Sequence, residues 1–423
     1  MTFLIITLGS HGDVHPFVGI GRALRERGHS VRLVTNAVFG PMIEKAGLEF
    51  IPVGSPEEFE AVQQDPNVWH PTRGPGLVLK YVGQTLREVY DVVAAHATRE
   101  TTVVGSTLTL GARVASEKLG LPLATVHLSP ICIRSSHRMP VVPGLPDMNR
   151  LPRFARTLFW SAADRWFIEP LIAPTLNAFR AEHGLAPVSG IQAGWWHSPH
   201  LTIGLWPEWF FARQPDYPEQ VRMAGFPLYD EADHVSLDTD LLAWLNAGDA
   251  PIAFTPGSAM RFGRPFFDAA VDACSRSKRR GVLLSRHSDN IPPNLPAEVR
   301  HVPFAPFSLL LPRCAALVHH GGIGTTAQAL RGGVPQLIMP MSHDQFDNAA
   351  ICRRLGVAQA VGRRRFSGRR VAGVLQELVN SQTVKRACLR VAELARADQP
   401  LQTVVGLLEN LPAQPTLARS GQS

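Results

Sequence analysis

The chain has 423 residues, 45% of them hydrophobic and 18% charged, a balance that supports sizeable cores and excludes global disorder. Its formal charge of +7 rests on arginines that are spread along the chain rather than interleaved with aromatics, which argues against a nucleic-acid partner. The cysteines Cys132, Cys274, Cys314, Cys352 and Cys388 lack C-x-x-C spacing, so neither a disulfide framework nor a zinc site is expected.

In chain order, periodicity predicts a strand over 2–8, a helix over 14–27 and a strand over 30–35, with a turn at Gly28-His29 between the last two. Residues 2–8 are too few for a signal-peptide core, and no segment offers eighteen uninterrupted apolar residues, so a cytoplasmic chain is expected. Further strands are expected at 49–53, 102–104 and 123–127, with helices around 76–97 and 108–119. From 129 to about 209 prolines, tryptophans and arginines accumulate and the rhythm breaks, as in a variable lid. A strand at 201–205 closes a first domain. An acidic, proline-flanked stretch then links to strands at 252–255, 281–284, 301–302, 315–318 and 336–339 and helices at 371–380 and 383–396. Strands alternating with amphipathic helices predict a doubly wound α/β architecture. The expected units are 1–225, a linker 226–240, 241–411, and a tail 412–423 of disorder-like composition.

The densest stretch is LVHHGGIGTTAQALRGGVPQLIMPMSHDQFDN, residues 317–348. An apolar strand runs into Gly321, Gly322 and Gly324, which permit a tight turn, and Thr325 and Thr326 open the next helix. The first amides of a helix lack intrahelical partners and carry about half a positive charge, so a diphosphate is a natural occupant. His319, His320 and the two hydroxyls add donors. His343, Asp344, Gln345 and Asn348 gather outside the strand ends, where they suit sugar hydroxyls. The same letters from Gly322 to Ala327 satisfy G-x-G-x-x-A, with Asp344 about twenty residues on as a ribose acid, so an NAD(P)-dependent oxidoreductase is a rival reading, and a plain structural turn a third.

HHGGIGTT, followed by GGVP and HDQFDN, resembles the donor-binding signature of family 1 glycosyltransferases, in particular the bacterial and sterol-glycosylating branch with a double histidine. Residues 7–16, TLGSHGDVHP, resemble the G-S-x-G-D-V-x-P opening of that branch. The order of the VVGS, HSP, GFPL, FTPGS and HDQFDN segments is similar to that of the rhamnosyltransferases that build rhamnolipids, over residues 1 to about 400. The resemblance implies a GT-B fold: α/β, two Rossmann-like domains with parallel sheets facing across a cleft, acceptor in the first and activated sugar in the second. It implies an inverting, metal-independent transfer of a hexose from a UDP-glucose- or dTDP-rhamnose-type donor to a hydroxyl of a lipophilic small molecule or lipid. No cofactor is expected beyond that nucleotide-sugar co-substrate. A non-catalytic sugar-nucleotide-binding protein is a further alternative, although it would need neither an N-terminal base nor an aromatic lid.

For the base, the candidates are His11, Asp13 and His15 in the turn after the first strand. Asp13 is preferred, because it stands where the wider family's G-H-x-x-P motif has its histidine. A carboxylate of pKa about 3.9 is a feeble base, and burial would raise it towards the working range. His11 is the alternative base, and an N-cap of a helix starting near Val14 is the bland role for Asp13. Ser106 occupies the position of the family's orienting aspartate, so a His-Asp dyad is absent. The resemblance assigns His320, Gly321, Gly322, Gly324, Thr325 and Thr326, with Gly257 and Ser258, to the pyrophosphate, and Asp344, Gln345 and Asn348 to the sugar. Ser10 and Gly12 complete the donor set from the facing turn. Phe304, followed by Ala305, holds the place of the base-stacking tryptophan, and Gln328 replaces a ribose-gripping glutamate, which leaves thymidine nucleotides open. Trp160, Trp166, Trp195 and Trp196 of the lid are acceptor candidates, with core packing the commoner fate of such residues.

No metal is expected. Asp238-Thr239-Asp240 matches D-x-D but lies in the linker as solvated charge, and Gly12 and Pro16 argue against helical presentation of His11 and His15 as a metal pair. The cluster Arg363, Arg364, Arg365, Arg369 and Arg370 reads as a solvated face, with peripheral contact at the inner membrane face as the alternative. Monomer and homodimer both remain open.

Overall fold

The computed structural model describes residues 1–411, so the expected disordered tail 412–423 lies outside the described residues. Two parallel sheets organise the chain. The first has seven strands: β1 (Thr2–Ile6), β2 (Ser30–Thr35), β3 (Glu49–Pro52), β4 (Thr101–Ser106), β5 (Leu123–His127), β6 (Leu201–Gly204) and β7 (Val221–Met223), in the order β3-β2-β1-β4-β5-β6-β7. The second has six: β8 (Ile252–Thr255), β9 (Gly281–Leu284), β10 (Val299–Val302), β11 (Ala316–His319), β12 (Gln336–Ile338) and β13 (Ala358–Ala360), in the order β10-β9-β8-β11-β12-β13. Each sheet starts at its centre, grows to one edge, then returns and grows to the other. Two Rossmann-like domains result, as the resemblance implied. Helices cover both faces, which is why β1, β4 and β5 are buried almost throughout rather than on alternate residues.

Several elements escape the sequence reading, among them the helices Pro56–Gln64, Thr239–Asn246, Arg264–Ser277 and Gln345–Leu355. The strands β7 and β13 have three residues each, too few to show a period. A further one is the helix Pro400–Glu409, which brings Val404, Val405 and Leu408 against Phe17, Ile20 and Leu24 in the core beside β1. This last described helix thus packs against the domain in which the chain began. Arg27 and His29 hold Glu409 there, each at 2.8 Å. The expected helix over 76–97 is two, Gly74–Gln84 and Leu86–His96, and the lid contains helices at Arg153–Ala163 and Glu169–Glu182 joined by a π-helical turn at Asp164–Ile168.

Candidate active site

In doubly wound sheets the helices on either side of the first strand leave in opposite directions, and the crevice beyond the strands' carboxyl ends binds ligands. Here those crevices open between β1 and β4 and between β8 and β11. They face each other: a Cβ built on Gly324 would lie 3.8 Å from the Cα of Gly12.

On the first side, the helix His11–Glu26 begins three residues before the expected Val14, with Ser10 as its N-cap. Asp13 is therefore its third residue and not the cap. The Ser10 amide and hydroxyl donate to Asp13 Oδ2 at 2.7 and 3.0 Å. Gly9, at φ 129°, is the one residue type that fits beside it, since a Cβ there would sit 2.4 Å from the same oxygen. Burial raises the pKa of Asp13 and the Ser10 bonds pull it back. The early helix start also corrects two expectations. His11, Asp13 and His15 are helical rather than in a turn, and the rings of His11 and His15 do share a helix face, with centroids 5.5 Å apart, despite Gly12 and Pro16. Pro16 removes one helical amide and crowds the Gly12 carbonyl, yet the helix runs through it to Glu26.

His11 is committed elsewhere. Its Nε2 lies 2.7 Å from the Arg286 guanidinium of the second domain, and burial, Arg286 and His15 depress its pKa to about 3. His15 pairs with Glu231 at 3.4 Å, and Arg286 approaches the same carboxylate at 3.9 Å. Glu231 holds φ 64°, a left-handed backbone that a non-glycine residue adopts at a cost of about 1 kcal/mol. Arg286 lies over the half-buried Phe304 ring at 4.7 Å, beside the buried Ala305.

On the second side, β11 delivers His319 inward and His320 towards the cleft. The Gly321 amide donates to His319 Nδ1 at 3.1 Å, so Nε2 carries the proton and donates to Gln336 Oε1 at 3.0 Å. His319 is a fully buried strut. His320 is wedged between two glycines: a Cβ on Gly257 (φ 102°) would lie 2.9 Å from its Cε1, and one on Gly322 2.4 Å from its Nε2. Its Nδ1 is buried without a protein partner, and burial with the nearby His343 lowers its pKa to about 4. Gly322 caps the helix Ile323–Gly332, whose first turn, with Gly324 and Thr325, is partly open, whereas Thr326 and Gln328 are buried. Ser258 is exposed at the tip of the β8 loop.

Asn348 ties the glycine turn to the next loop, donating to the Gly321 carbonyl at 3.0 Å and to Asp344 Oδ2 at 2.8 Å. Burial, with Asp13 as a like charge, raises Asp344 to about 6. The two carboxylates therefore share one cleft. Gln345 turns its Oε1 back to the amides of Met341 and Ser342 at 2.8 and 3.2 Å, which shapes the loop. That loop is clamped by the first domain: Ser342 donates to the His70 carbonyl at 3.2 Å and Trp69 packs edge-on to His343 at 6.1 Å.

The four lid tryptophans have different surroundings. Trp160 donates to the Ser135 carbonyl at 3.1 Å, Trp166 is 70% exposed, and Trp195 lies between Arg113 and Arg180 at 5.4 and 5.2 Å. Trp196 flanks the buried His127. Asp238 of the D-x-D letters is the N-cap of Thr239–Asn246, accepting from Asp240 and Leu241 amides at 2.8 and 3.2 Å. Among the described residues no group of three or more His, Cys, Asp or Glu is placed to hold a metal ion. The residues missed by sequence reading, Arg286, Glu231 and Trp69, carry no local signal, because each meets its site partner across a long stretch of chain.

Residues 3–135 match the model of the glycosyltransferase family 28 N-terminal domain, and residues 282–411 that of the erythromycin biosynthesis protein CIII-like C-terminal domain. The chain is 30% identical over 424 residues to the O-mycaminosyltylonolide 6-deoxyallosyltransferase of Streptomyces fradiae, with 97% of each chain covered. The chain belongs to the sugar-nucleotide-dependent glycosyltransferases of GT-B fold. The fold is shared with a glycotransferase of kitacinnamycin (TM-score 0.74, 20% identity, covering 97% of this chain and 99% of that one). It is shared too with the spinosyn rhamnosyltransferase solved with thymidine diphosphate (TM-score 0.68, 18% identity, 97% and 100% covered). This glycosyltransferase is thus related to bacterial natural-product enzymes; none of these matches ties it to rhamnolipid assembly. The dinucleotide reading of the Gly322 turn gives way with that assignment.

Proposed function

We propose that this glycosyltransferase moves a hexose, with inversion and without a metal, from a thymidine- or uridine-diphosphate sugar to a hydroxyl of a lipophilic acceptor. The observation that carries the reading is the placement of Asp13 across the cleft from the open first turn of Ile323–Gly332, with Asp344 beside both. On this reading residues 1–225 hold the acceptor, 241–411 the donor, 226–240 act as the hinge, and the reaction takes place in the cytoplasm.

The acceptor hydroxyl gives its proton to Asp13 as its oxygen attacks the anomeric carbon, while the bond to the nucleoside diphosphate breaks on the opposite face. Raised by burial, the carboxylate is a better base than its free counterpart. His11 is the poorer candidate, because Arg286 occupies its ring nitrogen. Negative charge on the departing diphosphate is met by the amides of Gly322 to Thr325, the helix dipole and His320, whose partnerless Nδ1 suits donation to a phosphate oxygen. Asp344 receives sugar hydroxyls. A thymidine nucleotide is the favoured donor: Gln328 stands where a ribose-gripping glutamate is expected and is buried, and a relative of the same fold was solved with thymidine diphosphate.

A thermal-shift panel of uridine, thymidine and guanosine diphosphates tests the donor, since a ligand that binds the folded state raises its melting temperature by mass action. Stabilisation by thymidine diphosphate above the others is expected. Proton NMR of the first-formed product tests the stereochemistry, and retention at the anomeric carbon would overturn direct displacement.

A further inference from the structure

The lid carries a surface that the transfer chemistry does not use. Leu151, Phe154, Leu158, Trp166, Phe167 and Leu171 are 39%, 69%, 64%, 70%, 69% and 50% exposed. Phe154 and Leu158 are four apart, as are Phe167 and Leu171, and the π-helical turn at Asp164–Ile168 carries the stripe from one helix to the next. It runs about 25 Å along the protein surface. Isolated exposed apolar residues are ordinary, whereas a contiguous row of large ones marks an interaction surface.

Charge identifies the partner. Arg150, Arg153 and Arg165 are exposed along the same segment. The neighbouring helix Gly74–Gln84 packs beside Leu171, 3.8 Å from a Cβ built on Gly76, and sets exposed Arg73 and Lys80 on that helix face. Acidic counterparts over 147–171 are few: Asp164 is bound to Arg134, Glu169 accepts the Ile191 amide at 2.7 Å, and Asp147 stands exposed, 3.9 Å from Arg150. A two-fold contact with a second copy would press this basic rim against itself. Aromatic and aliphatic side chains rimmed by arginine and lysine instead match the boundary between headgroups and acyl chains of an anionic bilayer. We infer that the Leu151–Leu171 face of the lid docks this enzyme on an anionic membrane surface, where a lipophilic acceptor would be concentrated. The exposed Arg363–Arg370 cluster lacks such a face, since its Phe366 stacks inward on Phe266 at 5.1 Å.

Co-sedimentation of the full chain with vesicles of phosphatidylglycerol and phosphatidylcholine, against phosphatidylcholine alone, tests the inference. Binding to the anionic vesicles, weakened by salt, is expected, and the paired substitution Phe154→Ser and Leu158→Ser should weaken it by roughly tenfold or more while the melting temperature is kept. Arg153→Glu with Arg165→Glu should do the same through charge. Equal partition with and without anionic lipid, undiminished binding by both variants, or a dimer that the serine pair converts to monomer would each overturn it.

Discussion

Replacing Asp13 with asparagine separates its two roles. Asparagine keeps the shape and can still accept the Ser10 amide, now 2.7 Å from the carboxylate, so the helix start is retained. Loss of the charge weakens that bond by an amount on the order of 1 kcal/mol. Against this stands the burial that raises the Asp13 pKa. An acid whose pKa is higher folded than unfolded binds its proton more tightly in the folded state, so its ionised form lowers stability at neutral pH. Neutral asparagine removes that penalty. The two effects oppose, and the melting temperature at pH 7.5 should move by no more than about 2 °C. Turnover, by contrast, should fall by roughly a hundredfold to ten-thousandfold, the range for a lost general base. The assay is release of nucleoside diphosphate with saturating donor and acceptor, alongside a melting curve. A variant that keeps more than about a tenth of wild-type turnover would remove Asp13 from the chemistry. Asp13→Ala should lose both turnover and about 1 kcal/mol, because it discards the reciprocal cap.

Four further outcomes follow from the same geometry. His320→Ala should weaken nucleoside diphosphate binding by roughly tenfold to a hundredfold in calorimetry, the worth of a hydrogen bond to a charged group. Gly257→Ala must accept φ 102° and a contact of 2.9 Å with His320, so its urea midpoint should report a loss of about 1–3 kcal/mol. Arg286→Ala releases His11, Glu231 and Phe304 together, and should raise the donor KM roughly tenfold with little change in kcat if those contacts hold the closed form. Asp344, raised to about 6, loses its charge as pH falls through that value, so kcat/KM should decline below pH 6, and the weaker Asp344→Asn variant should lose that part of the decline and keep the part set by protonation of Asp13. The sign for stability is the opposite: acidification from neutral pH towards 5 relieves the buried charge of Asp344 and favours folding at that site.

Much of this enzyme is legible before any coordinate is seen, for a physical reason. A glycine turn that opens a helix is a local device, so His320, Gly321 to Gly324 and Thr325 announce themselves within a few residues, as does a strand such as β1 that burial on both faces makes apolar. Short edge strands give no period and were invisible. So was the helix Pro400–Glu409, whose destination lies at the opposite end of the chain.

What the sequence determined by itself was therefore the set of local devices: two doubly wound halves, a glycine turn at a helix start, and a carboxylate just after the first strand. Only the tertiary structure decided which neighbours those devices meet. It gave His11 to Arg286, turned Gln345 back onto its own loop, left His320 with a free ring nitrogen between two glycines, and set Asp13 facing Asp344. Those choices depend on long-range packing and on desolvation, which belong to the surroundings of a residue rather than to its place in the chain.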